Sequence, residues 1–252
     1  MQKYKISIVN YTNTLPFKYG IMQAGLDHKI DLQLDIPSVC AQKLLENKVD
    51  IGLIPVAVIP LLKEYHIISK YCLGSNEKVD TVKLYSRVPL EKIDTVFLDY
   101  QSRTSVTLVQ VLSHFFWKIK PVFTPATEGF EKLAEVNKAV VVIGDRCFGM
   151  NGNFEYEYDL AAEWKKYTGL PFVFAAWVSN KKIDEDFICE FEKTLQFGVE
   201  RIGEAVEKMI PPEKQALIRA YLTERISYDF NAEKKKGVEY FLHLLKQITP
   251  VK

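Results

Sequence analysis

The sequence lacks an excess of either charge. Its 252 residues include 33 Lys and Arg against 32 Asp and Glu, for a formal net charge of +1 at pH 7. A nucleic-acid-binding protein usually shows a basic excess or a clustered basic face. The one lysine run, residues 234–236, is short and flanked by Glu233 and Glu239. We therefore expect no nucleic acid or other polyanion as a partner.

Cysteine and histidine are scarce and show no pattern. The four cysteines, Cys40, Cys72, Cys147 and Cys189, lie far apart in no CxxC or other metal-ligand spacing. This favours small buried hydrophobic side chains in a reducing compartment. The four histidines are equally scattered. We expect neither a metal site nor a cofactor.

Long hydrophobic runs are also missing. No apolar stretch approaches the roughly 18 residues that cross a bilayer, and residues 1–10 enter a short apolar strand without the pattern of an export signal. We therefore expect a cytoplasmic protein without a membrane partner. Its oligomeric state stays open. Hydrophobic residues at 48% and charged residues at 26% are typical of a globular chain.

Strand-like apolar runs alternate with helix-like segments. The predicted strands are residues 5–9, 31–36, 49–54, 79–86, 95–99, 121–124, 139–143 and 172–179. The predicted helices are residues 16–24, 39–46, 55–62, 106–118, 129–135, 160–168, 185–209, 213–223 and 232–247. Apolar strands without alternation are typical of parallel sheets covered on both faces. We predict an α/β protein with two parallel sheets in two lobes, residues 1–87 plus 177–252 and residues 88–176, and a ligand cleft between the lobes.

The most informative polar string is DYQSRTSVT, residues 99–107, between a predicted strand and a predicted helix. The hydroxyls of Ser102, Thr104 and Ser105 and the free amides of a helix start would bind a carboxylate or phosphate. Arg103 would add a bidentate contact. The alternative is a capped helix whose hydroxyls bind their own backbone. Four polar residues in succession exceed what capping requires, which favours a ligand.

Two strings in the first lobe have the same position relative to a strand. Ser38, in PSVCA, opens a predicted helix and would form a second anion site; the alternative is a plain Ser N-cap. Asn13 lies in VNYTNTLPF directly after the first strand, and it is the residue of that string we expect to contact a ligand. The alternative for Asn13 is an Asx turn.

The residues after the buried strand 139–143 would also reach the ligand. Gly144 and Asp145 come directly after this strand, and Asp145 would orient a ligand hydroxyl. A surface turn of Asp145 and Arg146 is the alternative. No GxGxxG, P-loop, HExxH or GxSxG motif occurs. The residues alone therefore predict a protein that binds a small anion.

The strings together resemble a known family. VNYTNTLPFKYG, DIPSVCAQKLLENKVDIGLIPVA, LDYQSRTSVTLVQVL, IGD and DLAAEWKKYTGLPFVFAAW occur in the order and spacing of the MqnA family, the chorismate dehydratases of menaquinone biosynthesis. The resemblance covers about residues 6–241. It implies the type II periplasmic-binding-protein fold, used in the futalosine pathway as an enzyme, a carbon–oxygen lyase. The implied reaction is loss of water from chorismate to give 3-[(1-carboxyvinyl)oxy]benzoate.

Residue roles follow from the resemblance and the strings together. Asn13 and Ser86 would orient the reacting centre, and Ser38 and the string from Ser102 to Ser105 would anchor carboxylates. The strings offer no obvious general base, so we predict that the enolpyruvyl carboxylate of the substrate takes the proton. Two alternatives stay open. One is a non-catalytic binder or sensor of small anions on the same fold, and the other is the sister enzyme that makes 1,4-dihydroxy-6-naphthoate.

Overall fold

A computed structural model describes residues 3–248 and 250–251 of the chain. The strands in these residues are β1 Tyr4–Val9, β2 Ile30–Asp35, β3 Ile51–Pro55, β4 His66–Ser75, β5 Val82–Ser86, β6 Thr95–Leu98, β7 Val122–Pro125, β8 Lys138–Ile143, β9 Tyr156–Asp159, β10 Phe172–Ser179 and β11 Ser227–Asp229. The helices are α1 Leu15–Gln23, α2 Pro37–Leu45, α3 Thr104–Leu112, α4 Leu160–Thr168, α5 Glu185–Glu200, α6 Ile202–Met209, α7 Pro212–Glu224 and α8 Ala232–Leu245.

The chain divides into two compact units. The first comprises Met1–Gly74 and Val173–Asn231, and the second comprises Ser75–Phe172 and Ala232–Lys252. These boundaries differ from the predicted lobes at three places, residues 75–87, 173–176 and 232–252. β5 belongs to the second unit because it pairs with β8 and β9. α8 also belongs there, because Phe241 and Tyr240 pack their rings on Trp164.

The first unit contains a six-stranded sheet in the order β11-β4-β10-β3-β1-β2. β1 runs parallel to both β2 and β3. β10 runs antiparallel to β3, and β11 antiparallel to β4. Val9 pairs with Asp35 at the ends of β1 and β2, so the chain leaves both strands at one edge of the sheet.

The second unit contains a five-stranded sheet in the order β7-β6-β8-β5-β9. β6 runs parallel to β7 and β8, whereas β5 runs antiparallel to β8 and β9. Both sheets are therefore mixed, and the prediction of two parallel sheets is wrong. Residues 139–143 show why. A strand covered on both faces is apolar throughout whichever way its neighbours run, and β8 has one parallel and one antiparallel neighbour.

Other predicted elements differ from the structure in extent. The predicted helix 185–209 is interrupted at Arg201, which separates α5 from α6. The predicted helix 106–118 begins earlier, at Thr104, and ends in a π-helical turn, Ser113–Trp117. The predicted helices 55–62 and 129–135 are shorter 3-10 segments, Val56–Leu61 and Phe130–Leu133. The prediction missed β4, β9 and β11.

Close packing of α1 on α5 depends on two glycines. A Cβ atom on Gly198 would overlap the carbonyl oxygen of Pro16, and one on Gly20 would overlap that of Thr194. The helix backbones therefore approach more closely than side chains would allow. This contact places the start of α1, and with it the loop that follows β1, against the body of the first unit.

Candidate functional site

A buried carboxylate holds the loop that follows β6. Asp99 comes directly after the strand and is 1% exposed. Its carboxylate accepts the amide N–H groups of Gln101 and Ile143, each at 3.0 Å. It also accepts a hydrogen bond from the guanidinium of Arg146. Since β6 and β8 are parallel neighbours, Asp99 links two loops that leave the same sheet edge.

Arg146 has a second carboxylate partner. Its Nη1 binds Glu131, in the 3-10 segment Phe130–Leu133, and its guanidinium carbon lies 5.6 Å from the ring centroid of Phe130 and 5.8 Å from that of Tyr100. Burial alone would lower the pKa of Arg146, but Asp99 and Glu131 outweigh it and raise this pKa above its ordinary value. Arg146 therefore stays charged and held in place.

The polar string after Asp99 begins α3. Ser102, Thr104 and Ser105 are all buried. Ser102 Oγ accepts the amide N–H of Ser105 at 3.0 Å, a capping-type bond made one residue before the N-cap, which is Arg103. The hydroxyl oxygen of Ser102 therefore binds the backbone of its own helix, as in the capping alternative. Its hydroxyl proton is still available for a ligand, because a hydroxyl can donate while it accepts.

Arg103 differs from Arg146 in its partners. Its side chain is half-buried, and within residues 3–248 and 250–251 its guanidinium forms no ion pair. Its backbone carbonyl accepts the hydroxyl of Thr107 at 2.8 Å, so its backbone belongs to the first turn of the helix. Arg103 is the N-cap residue of α3, so its charged side chain branches from the positive end of the helix dipole, a combination that favours an anion.

The loop after β8 turns sharply at Gly144. This residue has a φ of 68°, in the left-handed region, and its N–H donates to the carbonyl of Thr81 at 2.8 Å. Asp145 follows and is exposed. Gly144 and Asp145 lie next to the loop of Arg103 because Asp99 binds the amide of Ile143.

In the first unit, Asn13 lies in a short 3-10 helix, Thr12–Thr14, between β1 and α1. Its side-chain oxygen Oδ1 is buried and has no hydrogen-bond partner within the part of the chain that the structure describes. Its backbone carbonyl accepts the hydroxyl of Tyr228 at 3.0 Å, and the hydroxyl of Thr14 donates to the carbonyl of Val9 at 2.6 Å. The turn is therefore held by its neighbours while Oδ1 lacks a donor. Such an atom is rare and costly in a protein interior, and it points to a donor from a ligand or water.

Ser38 is the second residue of α2, and the N-cap is Ile36. The predicted capping role of Ser38 is therefore wrong, because Pro37 already occupies the first helical position, which it favours. Ser38 is half-exposed, and its hydroxyl forms no hydrogen bond with any described residue. Asp35 anchors the helix by accepting from Lys43 at 2.7 Å and from Ser7 at 2.8 Å.

Ser86 ends β5 and is fully buried. Its hydroxyl donates to the carbonyl of Val88 at 2.7 Å and accepts the N–H of the same residue at 3.1 Å. The side chain therefore closes a local turn, and it would have to exchange the bond to the Val88 carbonyl in order to donate to a ligand.

The structure brings the predicted residues together in two groups. In the second unit, Asp99 joins the start of α3 to the loop of Gly144 and Asp145. In the first unit, the loops of Asn13 and Ser38 leave one sheet edge, and the N–H of Asn10 donates to the carbonyl of Asp35 at 2.8 Å. The pair of Asp99 and Arg146 was not predicted from the sequence. An acidic residue directly after an apolar strand is the signal that could have found it.

The described residues contain neither a candidate metal site nor a candidate membrane-spanning helix. Among them, no group of three or more His, Cys, Asp and Glu side chains is placed to hold a metal ion. Nor does any described helix combine the length and the hydrophobicity needed to cross a membrane.

Many solved structures share the fold, and three of them illustrate it. Protein AF1704 from Archaeoglobus fulgidus matches with a TM-score of 0.73 at 12% identity, over 97% of each chain. The CA3427 gene product of Candida albicans, described as having the generic periplasmic binding protein fold, matches with a TM-score of 0.64 at 12% identity, over 100% of this chain and 92% of that one. SsuA, the periplasmic aliphatic sulphonate binding protein of Escherichia coli, matches with a TM-score of 0.59 at 13% identity, over 98% of this chain and 92% of that one.

These likenesses confirm the predicted periplasmic-binding-protein fold. A protein-family model described as menaquinone biosynthesis matches residues 4–247. This match covers nearly the whole chain and agrees with the family resemblance of the sequence strings. The protein therefore belongs to the menaquinone biosynthesis family, and its role lies in that pathway.

Proposed function

We propose that the protein is a chorismate dehydratase, which removes water from chorismate to give 3-[(1-carboxyvinyl)oxy]benzoate. The observation that carries the proposal is the chemistry of Arg103, a half-buried residue at the start of a helix in a menaquinone biosynthesis protein. Its guanidinium has no carboxylate partner among the described residues. A guanidinium in this position pairs well with a carboxylate. Chorismate carries one carboxylate on its ring and another on its enolpyruvyl arm.

In this proposal the second unit binds an acid group of chorismate. Arg103 forms the charged contact, and Ser102, Thr104 and Ser105 supply hydroxyl and amide groups of the helix start. Gly144 and Asp145, in the adjoining loop, contact the substrate as well. Asp145 accepts a hydrogen bond from a substrate hydroxyl through its carboxyl oxygens.

The first unit supplies polar groups without charge. Asn13 Oδ1, which lacks a donor in the described residues, accepts a hydrogen bond from the substrate and so orients the reacting centre. Ser38, half-exposed at the second position of α2, donates to a carboxylate. Ser86, at the end of β5 in the second unit, takes part only if it exchanges its bond to the Val88 carbonyl.

The reaction removes the proton at C3 of the ring and the hydroxyl group at C4. Aromatisation of the ring supplies the driving force. The ring carboxylate acidifies the C3 proton through the conjugated double bond, so hydrogen bonds to that carboxylate stabilise the charge that builds up as the proton leaves. This favours stepwise elimination through a carbanion-like intermediate.

The enolpyruvyl carboxylate of the substrate is our candidate for the base. The described side chains of the predicted strings offer hydroxyl, amide and guanidinium groups, and their exposed acid is Asp145. A carboxylate within the substrate, held by the protein, acts at a high effective concentration. If Asp145→Asn abolished turnover while chorismate still bound, the base would be Asp145 and not the substrate.

A non-catalytic anion binder is the second candidate function. It is favoured by the similarity in fold to the sulphonate-binding protein of Escherichia coli. Such a protein would use Arg103 and Ser102 to bind an anion without changing it. The sister enzyme that makes 1,4-dihydroxy-6-naphthoate is a further alternative in the same pathway.

Incubation of the purified protein with chorismate separates these functions. We expect the absorbance of chorismate to fall and a product lighter by one water molecule to appear in the mass spectrum. The control is Arg103→Met, which should raise KM by about tenfold or more, as expected for loss of a charged contact to the substrate. Binding of chorismate without loss of water would favour the anion binder. Turnover of the naphthoate precursor instead would favour the sister enzyme.

A further inference from the structure

We propose that Arg146, together with Asp99 and Glu131, is a positioning group that holds the loop of Arg103 in its ligand-binding conformation. The proposal rests on the proposed function, because it assigns Arg103 to a carboxylate of the substrate. Arg146 is not itself a partner of the substrate. Its Nη2 atom binds Asp99 and its Nη1 atom binds Glu131, so both ends of the guanidinium fork are occupied.

Three segments of the second unit meet at Arg146. The residue belongs to the 3-10 segment Gly144–Gly149, Glu131 to the segment Phe130–Leu133, and Asp99 to the loop after β6. The rings of Tyr100 and Phe130 lie within cation–π range of the same guanidinium. The guanidinium of Arg146 is therefore held by two carboxylates and by two aromatic rings, which fix its position.

A short series of hydrogen bonds connects Asp99, the partner of Arg146, to the residues on both sides of Arg103. Asp99 accepts the N–H of Gln101 at 3.0 Å through its carboxylate and that of Ser102 at 3.3 Å through its carbonyl. Ser102 then accepts the N–H of Ser105 at 3.0 Å. Arg103 lies inside this series. Movement of Asp99 would therefore move the residues on both sides of Arg103.

Removal of Arg146 would leave Asp99 as a buried carboxylate without a counter-charge. Such a group takes up a proton or moves toward water, because an uncompensated buried charge is costly. Either change weakens the bonds that hold the loop. Lysine at position 146 would keep the charge, but it would lack the planar fork that binds two carboxylates at once.

The test compares five variants of the full chain with the wild type: R146M, R146K, R103M, the double variant R103M/R146M and the control R219M. Arg219 binds Glu207 at 2.8 Å and so joins α6 to α7, far along the chain from the strings of the second unit. Two measurements are made on each variant. One is kcat and KM for chorismate, and the other is amide hydrogen exchange of the peptide that covers residues 99–105.

We expect R146M to lose about tenfold or more in kcat/KM, mainly through KM, and R146K to recover part of the loss. The double variant should be no worse than R103M, because residues that act as one unit are not additive. The 99–105 peptide of R146M should exchange about tenfold faster than in the wild type, while R219M changes neither measurement.

Two results would overturn the proposal. Multiplied losses in the double variant would mean that Arg146 contacts the substrate by itself. Unchanged exchange of the 99–105 peptide in R146M would mean that Arg146 does not hold the loop. A wild type that does not act on chorismate would refute the proposed function, and hydrogen exchange would still decide whether Arg146 holds the loop.

Discussion

At the scale of single residues, Asn13 and Thr14 are neighbours with opposite hydrogen-bonding states. Thr14 is fully buried, and its hydroxyl donates to the carbonyl oxygens of Val9 at 2.6 Å and Tyr11 at 2.8 Å. The buried Oδ1 of Asn13 has no donor within the described chain. The Thr14 hydroxyl therefore contributes to stability, whereas we propose that Asn13 Oδ1 accepts a hydrogen bond from the substrate.

Substitution of the two residues should separate stability from activity. We expect Asn13→Leu to leave the free energy of unfolding unchanged or to raise it by up to about 1–2 kcal/mol, since a buried polar atom without a partner is removed. The same variant should lose most of its turnover of chorismate. Thr14→Val should lower the free energy of unfolding by about 1–3 kcal/mol, because it removes the donor from two carbonyl groups.

Urea unfolding and steady-state kinetics check this pair of variants. A loss of stability in Asn13→Leu as large as that in Thr14→Val would show that Asn13 is structural. Full activity in Asn13→Leu would remove it from the proposed site.

At the scale of elements, the helix pair α1 and α5 depends on backbone contact. Gly198 has no room for a Cβ atom, because the carbonyl oxygen of Pro16 occupies that place. Pro16 and Asn13 are three residues apart, so the position of α1 also determines where the loop of Asn13 begins. Packing of these helices and the geometry of the proposed site are therefore coupled.

Gly198→Ala should separate the two helices and destabilise the first unit. Overpacking alone costs about 1–3 kcal/mol, and a backbone atom cannot move aside as a side chain can. We therefore expect a loss of about 3 kcal/mol or more in the free energy of unfolding. The matched control is Gly149→Ala, where a Cβ atom meets nothing within 4 Å. Thermal unfolding of both variants measures the difference, and equal melting temperatures would contradict the tight helix contact.

At the scale of the whole molecule, buried thiols and phenols determine how the fold responds to alkaline pH. Burial raises the pKa of Cys40 to about 12 and that of Cys147 to about 12. Burial also raises the pKa of Tyr85 and of Tyr228. The pKa of a cysteine in an unfolded chain is about 8.5. At pH values between about 8.5 and about 12, the folded chain therefore binds more protons than the unfolded chain.

Stability should therefore fall as pH rises above about 8.5, because the unfolded state releases protons that the folded state keeps. Each thiol contributes a slope of about 1.4 kcal/mol per pH unit in this window. Urea unfolding at pH 8 and pH 9.5 measures the slope. Cys40→Ala should reduce the slope by the contribution of one thiol, about 1.4 kcal/mol per pH unit. Cys189→Ala, which changes an exposed thiol, is the control. A free energy of unfolding that does not change between the two pH values would contradict burial of these thiols.

Local patterns predicted some elements well. The predicted helix 160–168 coincides with α4, because its limits are local signals. Asp159 caps the start by accepting the N–H groups of Ala161 and Ala162, and Gly169 ends the helix with a φ of 73°. The predicted strand 172–179 coincides with β10 for a similar reason, since a long apolar run is visible without any knowledge of its neighbours.

Elements that depend on distant partners were predicted less well. β11 has three residues and is a strand because it pairs with β4, more than 150 positions earlier in the chain. Ser38 was predicted to be the N-cap of its helix, but the N-cap is Ile36, two residues earlier. The prediction that Ser38 lies at the start of a helix was correct. The unit boundaries differed for the same reason, since pairing with β8 and β9 assigns β5 to the second unit.

By itself, the sequence determined most of the strands and helices, the polar strings after the strands and the family, because these depend on residues close together in the chain. Only the tertiary structure decided the direction of β5 and β10 in their sheets and which polar groups have partners. Arg146 has two carboxylates and Arg103 has none among the described residues, although both follow apolar strands. The difference arises because Asp99, Glu131 and Arg146 are far apart in the chain, and only folding brings their charges into contact.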